Sequence, residues 1–197
     1  KIIITFSLVL CFISVFYNQE IIQFRYGLGQ FDNVDLFLNT SFNIFPILMF
    51  FFLFISCTYV FGTLLTANGN LNLLNKIAFS GMVFNVILNY FLISSHGSLG
   101  ASISSFFTQS ITALIQIFLC FKIFKLNNLK LVLEPLFFFI IGLIIISFLS
   151  VDFTQKWYVN ICLFGLLSII WSFVTGMIRF NYLKHIFANE KNLNYEK

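Results

Sequence analysis

The chain has 197 residues, 59% of them hydrophobic, 20% aromatic and only 9% charged, with a mean hydropathy of +0.96. This composition lies outside the range of water-soluble domains. The net charge of +4 is spread over loops and ends rather than gathered on one basic face, which argues against a nucleic-acid partner.

The charges are also unevenly spaced. Forty residues without Asp, Glu, Lys or Arg separate Asp35 from Lys76, and forty-five more separate Lys76 from Lys122. A bilayer requires such intervals, because a span takes about 20 apolar residues and a charge in hydrocarbon is costly. The pattern predicts an all-α fold, a polytopic transmembrane bundle of six spans.

Helix A covers about 2–24, with 2–17 as its body and the rest as an extension. Its flank at Lys1 and its apolar body share features with a signal peptide, but it has no small-residue cleavage site and five further spans follow, so it is read as a span. Gly27 and Gly29 stop it. Asp32 and Asp35 read as an N-cap pair ahead of helix B at 37–66. Pro46 lies inside helix B and is expected to kink it. Asn68-Gly69-Asn70 separates B from helix C at 74–95. Ser95-His96-Gly97-Ser98 makes a tight hairpin into helix D at 99–121, with Gly97 as a left-handed cap. Helix E, at 131–151, is read as apolar around its circumference apart from Ser147, so it is expected at the periphery, facing lipid. Helix F, at 157–180, opens on Trp157 and Tyr158, residues suited to the membrane interface. A polar tail, 181–197, follows.

Orientation follows from the cations. Lys1, Lys76, Lys122, Lys125, Lys130, Arg179, Lys184, Lys191 and Lys197 fall on one side of this topology, and only Arg25 and Lys156 on the other. The positive-inside rule then places both ends, with the tail, in the cytoplasm, in a multi-pass protein of the inner or plasma membrane.

Polar and small residues mark the faces turned inward. Helix D carries Ser102, Ser105, Gln109, Thr112 and Gln116 as one seam, and helix C carries Gly81, Asn85 and Asn89. Helix B carries Ser56, Tyr59, Thr63 and Thr66, and helix F carries Gly165, Ser168, Ser172 and Gly176. The small residues of F are read as packing. For C and D two readings stand side by side: helix packing, or a polar pathway lined by Asn85, Asn89, Gln109, Thr112 and Gln116. Cys11, Cys57, Cys120 and Cys162 sit singly in four apolar segments and are read as small buried residues. His96 and His185 have no second ligand at metal spacing, and no phosphate loop, nucleophile set or carboxylate pair occurs. The expectation is a protein without cofactor or metal that is not an enzyme.

The run LLTANGNLNLLNK and the later NVILNYFLISSHGSLGASIS form an ordered pattern. Leu65-Thr66-Ala67-Asn68-Gly69 ends one helix, Asn85 and Asn89 precede Leu92-Ile93 in the next, and Gly100-Ala101-Ser102-Ile103-Ser104 opens a third. Upstream lie Tyr26-Gly27 and Phe31. Together these elements, spanning 1–124, resemble the carboxy-terminal half of polysaccharide and oligosaccharide-lipid flippases of the multidrug/oligosaccharidyl-lipid/polysaccharide exporter superfamily. Ser94 departs from the pattern, which often has proline there and so fixes the end of helix C more tightly. The resemblance implies 12 to 14 helices in two lobes, of which this chain would supply the last six, beside an amino-terminal lobe of the same protein. It implies export of a lipid-linked oligosaccharide for cell-surface polysaccharide by alternating access. Two alternatives stay open. A drug or cation antiporter of the same superfamily would use a buried carboxylate for coupling, and none is read within the spans. A membrane-embedded glycan polymerase or acyltransferase would have to draw on Arg25, Asp32, Asp35 and His96, which are dispersed.

Overall fold

The computed structural model describes residues 1–26, 34–125, 130–151 and 156–178. Among the described residues all regular structure is helical: α1 (Ile2–Phe16), α2 (Asn18–Tyr26), α3 (Val34–Ala67), α4 (Leu71–Ile123), α5 (Lys130–Val151) and α6 (Trp157–Val174). The expected stops at Gly27 and Gly29, the cap formed by Asp32 with Asp35, and the tail at 181–197 lie outside the described residues.

Four helices, α3 to α6, are long and apolar enough to cross a membrane, and α1 with α2 passes the same test as a pair bent by 77°. Many large apolar side chains point outward, among them Phe6, Phe79, Phe118, Phe137 and Phe148, which are 64–68% exposed. The fully buried side chains, by contrast, include Ser7, Ser14, Ser104, Ser147, Ser150 and Ser168. Water would penalise that arrangement. Lipid favours it, because small residues let helices approach while the apolar ones face hydrocarbon. The chain is therefore an all-α membrane protein.

Contacts divide the chain into two units, residues 10–128 and residues 1–9 with 129–197. In the first, α3 packs on α4 and α2 packs on α3. Contacts step along α1–α2 and α3 in opposite directions. Cys11 Sγ donates to the Met49 carbonyl at 3.1 Å, Asn18 Nδ2 to the Phe42 carbonyl at 3.1 Å, and Tyr26 meets Phe37 edge to face at 5.6 Å. Helix A does not run unbroken to residue 24. It stops at Phe16 and restarts as α2, because the chain turns at buried Tyr17 and Asn18 directs its amide to α3 rather than to lipid. The polar residues of α2, Glu20 and Arg25 among them, also suit a segment turned away from the apolar α1. Arg25 lies over the Tyr26 ring, 5.2 Å from its centre.

Helix α3 stays helical through Pro46. It ends in a Schellman motif: Asn70 N donates to the Leu65 carbonyl at 3.0 Å, Gly69 N to the Thr66 carbonyl at 3.0 Å, and Gly69 takes a φ of +78°. The expected Asn68-Gly69-Asn70 stop is thus a defined C-cap.

The 53 residues of α4 would extend about 80 Å if straight, far more than a bilayer core. The helix instead turns back at Gly97, whose φ is 56° and ψ −129°. The positive φ agrees with expectation, but that ψ is not the left-handed helical value. Gly97 reverses the chain between two helical halves instead of capping one of them. Helices C and D are those halves.

In the second unit α5 packs on α6. Phe139, Leu143, Ser147 and Ser150 form the buried stripe of α5, while Phe137, Phe138, Phe148 and Leu149 face outward. The outward majority fits a peripheral helix, although Ser150 and Glu134 are polar exceptions besides Ser147, and Glu134, near its start, is exposed. Helix F ends at Val174, not at 180. Gly176 there takes a φ of +70°, and Ile178 N closes the turn on the Ser172 carbonyl at 3.1 Å.

Candidate functional site

The candidate site lies in the first unit, where α3 meets the two halves of α4. Its frame depends on close backbone approach. A Cβ on Gly100 would overlap the Leu92 carbonyl, so only glycine lets the two halves converge beside the Gly97 turn. Further along, a Cβ on Gly81 would come within 2.7 Å of Thr112 Cγ2. Gly81, Asn85 and Asn89 on one half therefore face Thr112, Thr108 and Ser104 on the other.

The amides of Asn85 and Asn89 form a closed ring with Ser104. Asn85 Nδ2 donates to Ser104 Oγ at 3.4 Å, Ser104 Oγ donates to Asn89 Oδ1 at 2.6 Å, and Asn89 Nδ2 returns to Asn85 Oδ1 at 2.8 Å. Asn85 Nδ2 also reaches Thr108 Oγ1 at 3.2 Å. Every amide atom of that pair except one Asn89 hydrogen is engaged within the hairpin. Such bonds are worth about 0.6 kcal/mol each between membrane helices, and they fix the register of the two halves.

Beyond the ring a cleft of about 430 Å³ opens between α3 and the hairpin. Thr58, Gly81, Asn85, Ser105, Thr108, Gln109, Thr112 and Gln116 line it, with Phe51, Ala78 and Met82. None of these carries a charge. Gln109 Nε2 donates to Thr58 Oγ1 at 2.8 Å, and Thr58 Oγ1 donates to the Phe54 carbonyl at 2.9 Å. Thr112 Oγ1 returns to the Gln109 carbonyl at 3.0 Å. Gln116 differs. It is 4% exposed, and its Oε1 is buried without a hydrogen-bond partner. An acceptor left so costs about 1–3 kcal/mol.

Of the five residues expected along a polar pathway, Asn85, Gln109, Thr112 and Gln116 line the cleft. Asn89 does not; it closes the ring behind it. Of the expected seam of helix B, Ser56 is buried and the other three residues are not. Tyr59, Thr63 and Thr66 are exposed, and the two threonine hydroxyls bond back to the Val60 and Gly62 carbonyls of their own helix, at 2.8 and 2.9 Å. The face turned to α4 is instead Thr58, Gly62 and Leu65. Their spacing of four and three residues was the available signal, masked by an equally regular polar series beside it. On α6, Ser168 and Ser172 are fully buried, as a packing seam requires. Gly165 is not part of it, since a Cβ there would meet nothing within 4 Å.

Cys11 and Cys120 are buried, and Cys120 Sγ reaches the Phe61 carbonyl at 3.4 Å. Cys57 is partly exposed, and Cys162 is exposed, contrary to the buried role expected of it. Cys162 falls on the face of α6 opposite the stripe of Asn160, Phe164, Ser168 and Ser172. His96 is exposed beside the hairpin turn, with Nδ1 2.7 Å from Ser95 Oγ. No cluster of three His, Cys, Asp or Glu suited to a metal occurs among the described residues. Comparison of the chain with protein-family models, with curated proteins and with solved structures returned no match.

Proposed function

We propose that this chain is part of a transporter that carries the polar head of a lipid-linked oligosaccharide across the membrane by alternating access. The observation that supports the reading is a neutral polar cleft, lined by Gln109, Thr112 and Gln116, inside a unit whose outer surface is apolar. A sugar head presents many hydroxyls and needs uncharged hydrogen-bond partners, which amides and threonines provide. The motif resemblance along 63–104 points the same way. The phosphates of the lipid call for Lys or Arg, and among the described residues neither lines this cleft. In the two-lobed arrangement that the resemblance implies, the other lobe supplies them. Glu134 is exposed near the start of α5 and does not line the cleft, so ion coupling through a buried carboxylate gains no support here.

Deleting the full-length gene tests the reading. The expected result is loss of surface polysaccharide with accumulation of its lipid-linked precursor. Normal polysaccharide in a strain without a paralogue would reject it. The proposed topology has both ends in the cytoplasm. Labelling intact cells with a membrane-impermeant amine reagent should leave Lys184, Lys191 and Lys197 unmodified until the membrane is opened.

A further inference from the structure

The hydrogen bonds divide the cleft into two parts. At one end Asn85 and Asn89 are committed to the hairpin through Ser104 and Thr108. At the other, Gln116 carries a buried oxygen with nothing donating to it. Gly62 stands beside that oxygen, and a Cβ there would lie 3.4 Å from it. A methyl there would be in ordinary van der Waals contact with the oxygen, so α3 packs closely against this end of the cleft.

We infer that the Gln116 end of the cleft is a subsite for one hydroxyl group of an uncharged polyol, such as a sugar ring presents. The identity of the polyol rests on the transport reading above; the hydroxyl subsite rests on geometry alone. A hydroxyl can both donate and accept, so it satisfies the Gln116 amide in either orientation about its terminal bond. Among the described residues none that lines the cleft is charged, so an ionic group would enter without a counter-charge from them, at a cost of several kcal/mol. Its volume of about 430 Å³ falls within the range of small-molecule sites and far exceeds the space that a single water requires. Gln109 and Thr112 lie on the same lining, which gives neighbouring hydroxyls of the same ring further partners.

The test uses the full-length protein in lipid nanodiscs, with methyl β-glucoside as the probe and saturation-transfer NMR as the readout. Wild type should bind the probe. Gln116→Met, close in size but without an amide, should weaken binding about fivefold, the effect of one neutral hydrogen bond. Its thermal unfolding should occur at or above the wild-type temperature, because the variant removes a lone buried acceptor. Gly62→Ala keeps the amide and adds a methyl at ordinary contact distance from it, and should bind the probe as wild type does. Failure of wild type to bind the probe, equal binding by all three proteins, or destabilisation by Gln116→Met would each overturn the subsite. So would displacement of the probe by sodium at constant ionic strength, which would give the oxygen to a cation. Normal polysaccharide in the deletion strain together with Gln116-dependent binding would reject the transport reading and leave the subsite standing. Lost export with Gln116-independent binding would do the reverse.

Discussion

Asn18 donates its side-chain amide to the carbonyl of Phe42 at 3.1 Å, and Phe42 is the residue whose helical donor is missing because Pro46 has no N–H. A proline inside a membrane helix frees a carbonyl that lipid cannot satisfy, and a neighbouring side chain must take it. Here that side chain begins α2, so the bend in one element and the proline in another are parts of one arrangement.

Asn18→Ala should therefore destabilise the protein by about 1–2 kcal/mol, the cost of a buried carbonyl left unpaired. In a Pro46→Ala background residue 46 regains its own N–H, and the same change should cost only about a few tenths of a kcal/mol. A double-mutant cycle in detergent-mediated unfolding measures the difference. Equal costs in the two backgrounds would show that Asn18 does not serve the proline gap.

The glycines should separate sharply. Gly100→Ala forces a Cβ into the Leu92 backbone at the hairpin and should cost more than about 3 kcal/mol, since backbone, not a side-chain tip, must move. Gly165→Ala meets open space on α6 and should be neutral or stabilising by up to about 1 kcal/mol, the helix preference of Ala over Gly. Comparable destabilisation by both would refute the hairpin geometry.

Trp171 lies against α5 where Gly142 leaves room, and its Nε1 donates to the Phe138 carbonyl at 3.2 Å. Gly142→Ala alone should destabilise by about 2 kcal/mol or more, through overpacking. In a Trp171→Ala background the obstruction is gone and the same substitution should have almost no effect. Additivity of the two changes, read from unfolding midpoints, would contradict the contact.

The ring of Asn85, Asn89 and Ser104 should be strongly non-additive. Asn89→Ala leaves Asn85 Oδ1 without its donor and the Ser104 hydroxyl without its acceptor, and should cost about 1–3 kcal/mol. Removing Asn85, Asn89 and Ser104 together leaves fewer orphans, so the triple alanine variant should lose less than the sum of the three single losses. A loss equal to that sum would mean that the three side chains act separately.

The residues differ in how far sequence alone revealed their place. The uncharged intervals on either side of Lys76 marked the spans, because a charge is costly at any depth in hydrocarbon whatever its neighbours. Gly69 and Gly97 marked reversals, because only glycine enters positive φ freely. The period of Gln109, Thr112 and Gln116 marked one wall of the cleft, because a helix has a fixed angular step. The opposite wall was hidden. Thr58 with Gly62 and Leu65 forms one series on α3, and Tyr59 with Thr63 and Thr66 forms another of the same spacing one residue along. Periodicity cannot choose between them.

What the sequence determined by itself was which stretches are apolar and helical and that the chain reverses at Gly69 and Gly97, though not the bend at Tyr17, since these follow from local backbone preference and from the cost of charge in lipid. What only the tertiary structure decided was pairing: that Asn18 answers Pro46, that Asn85 and Asn89 close on Ser104, and that Gln116 is left with a buried, unpartnered oxygen. A hydrogen bond between distant segments depends on direction and on about an ångström of distance, and neither is written into the spacing of residues along one helix.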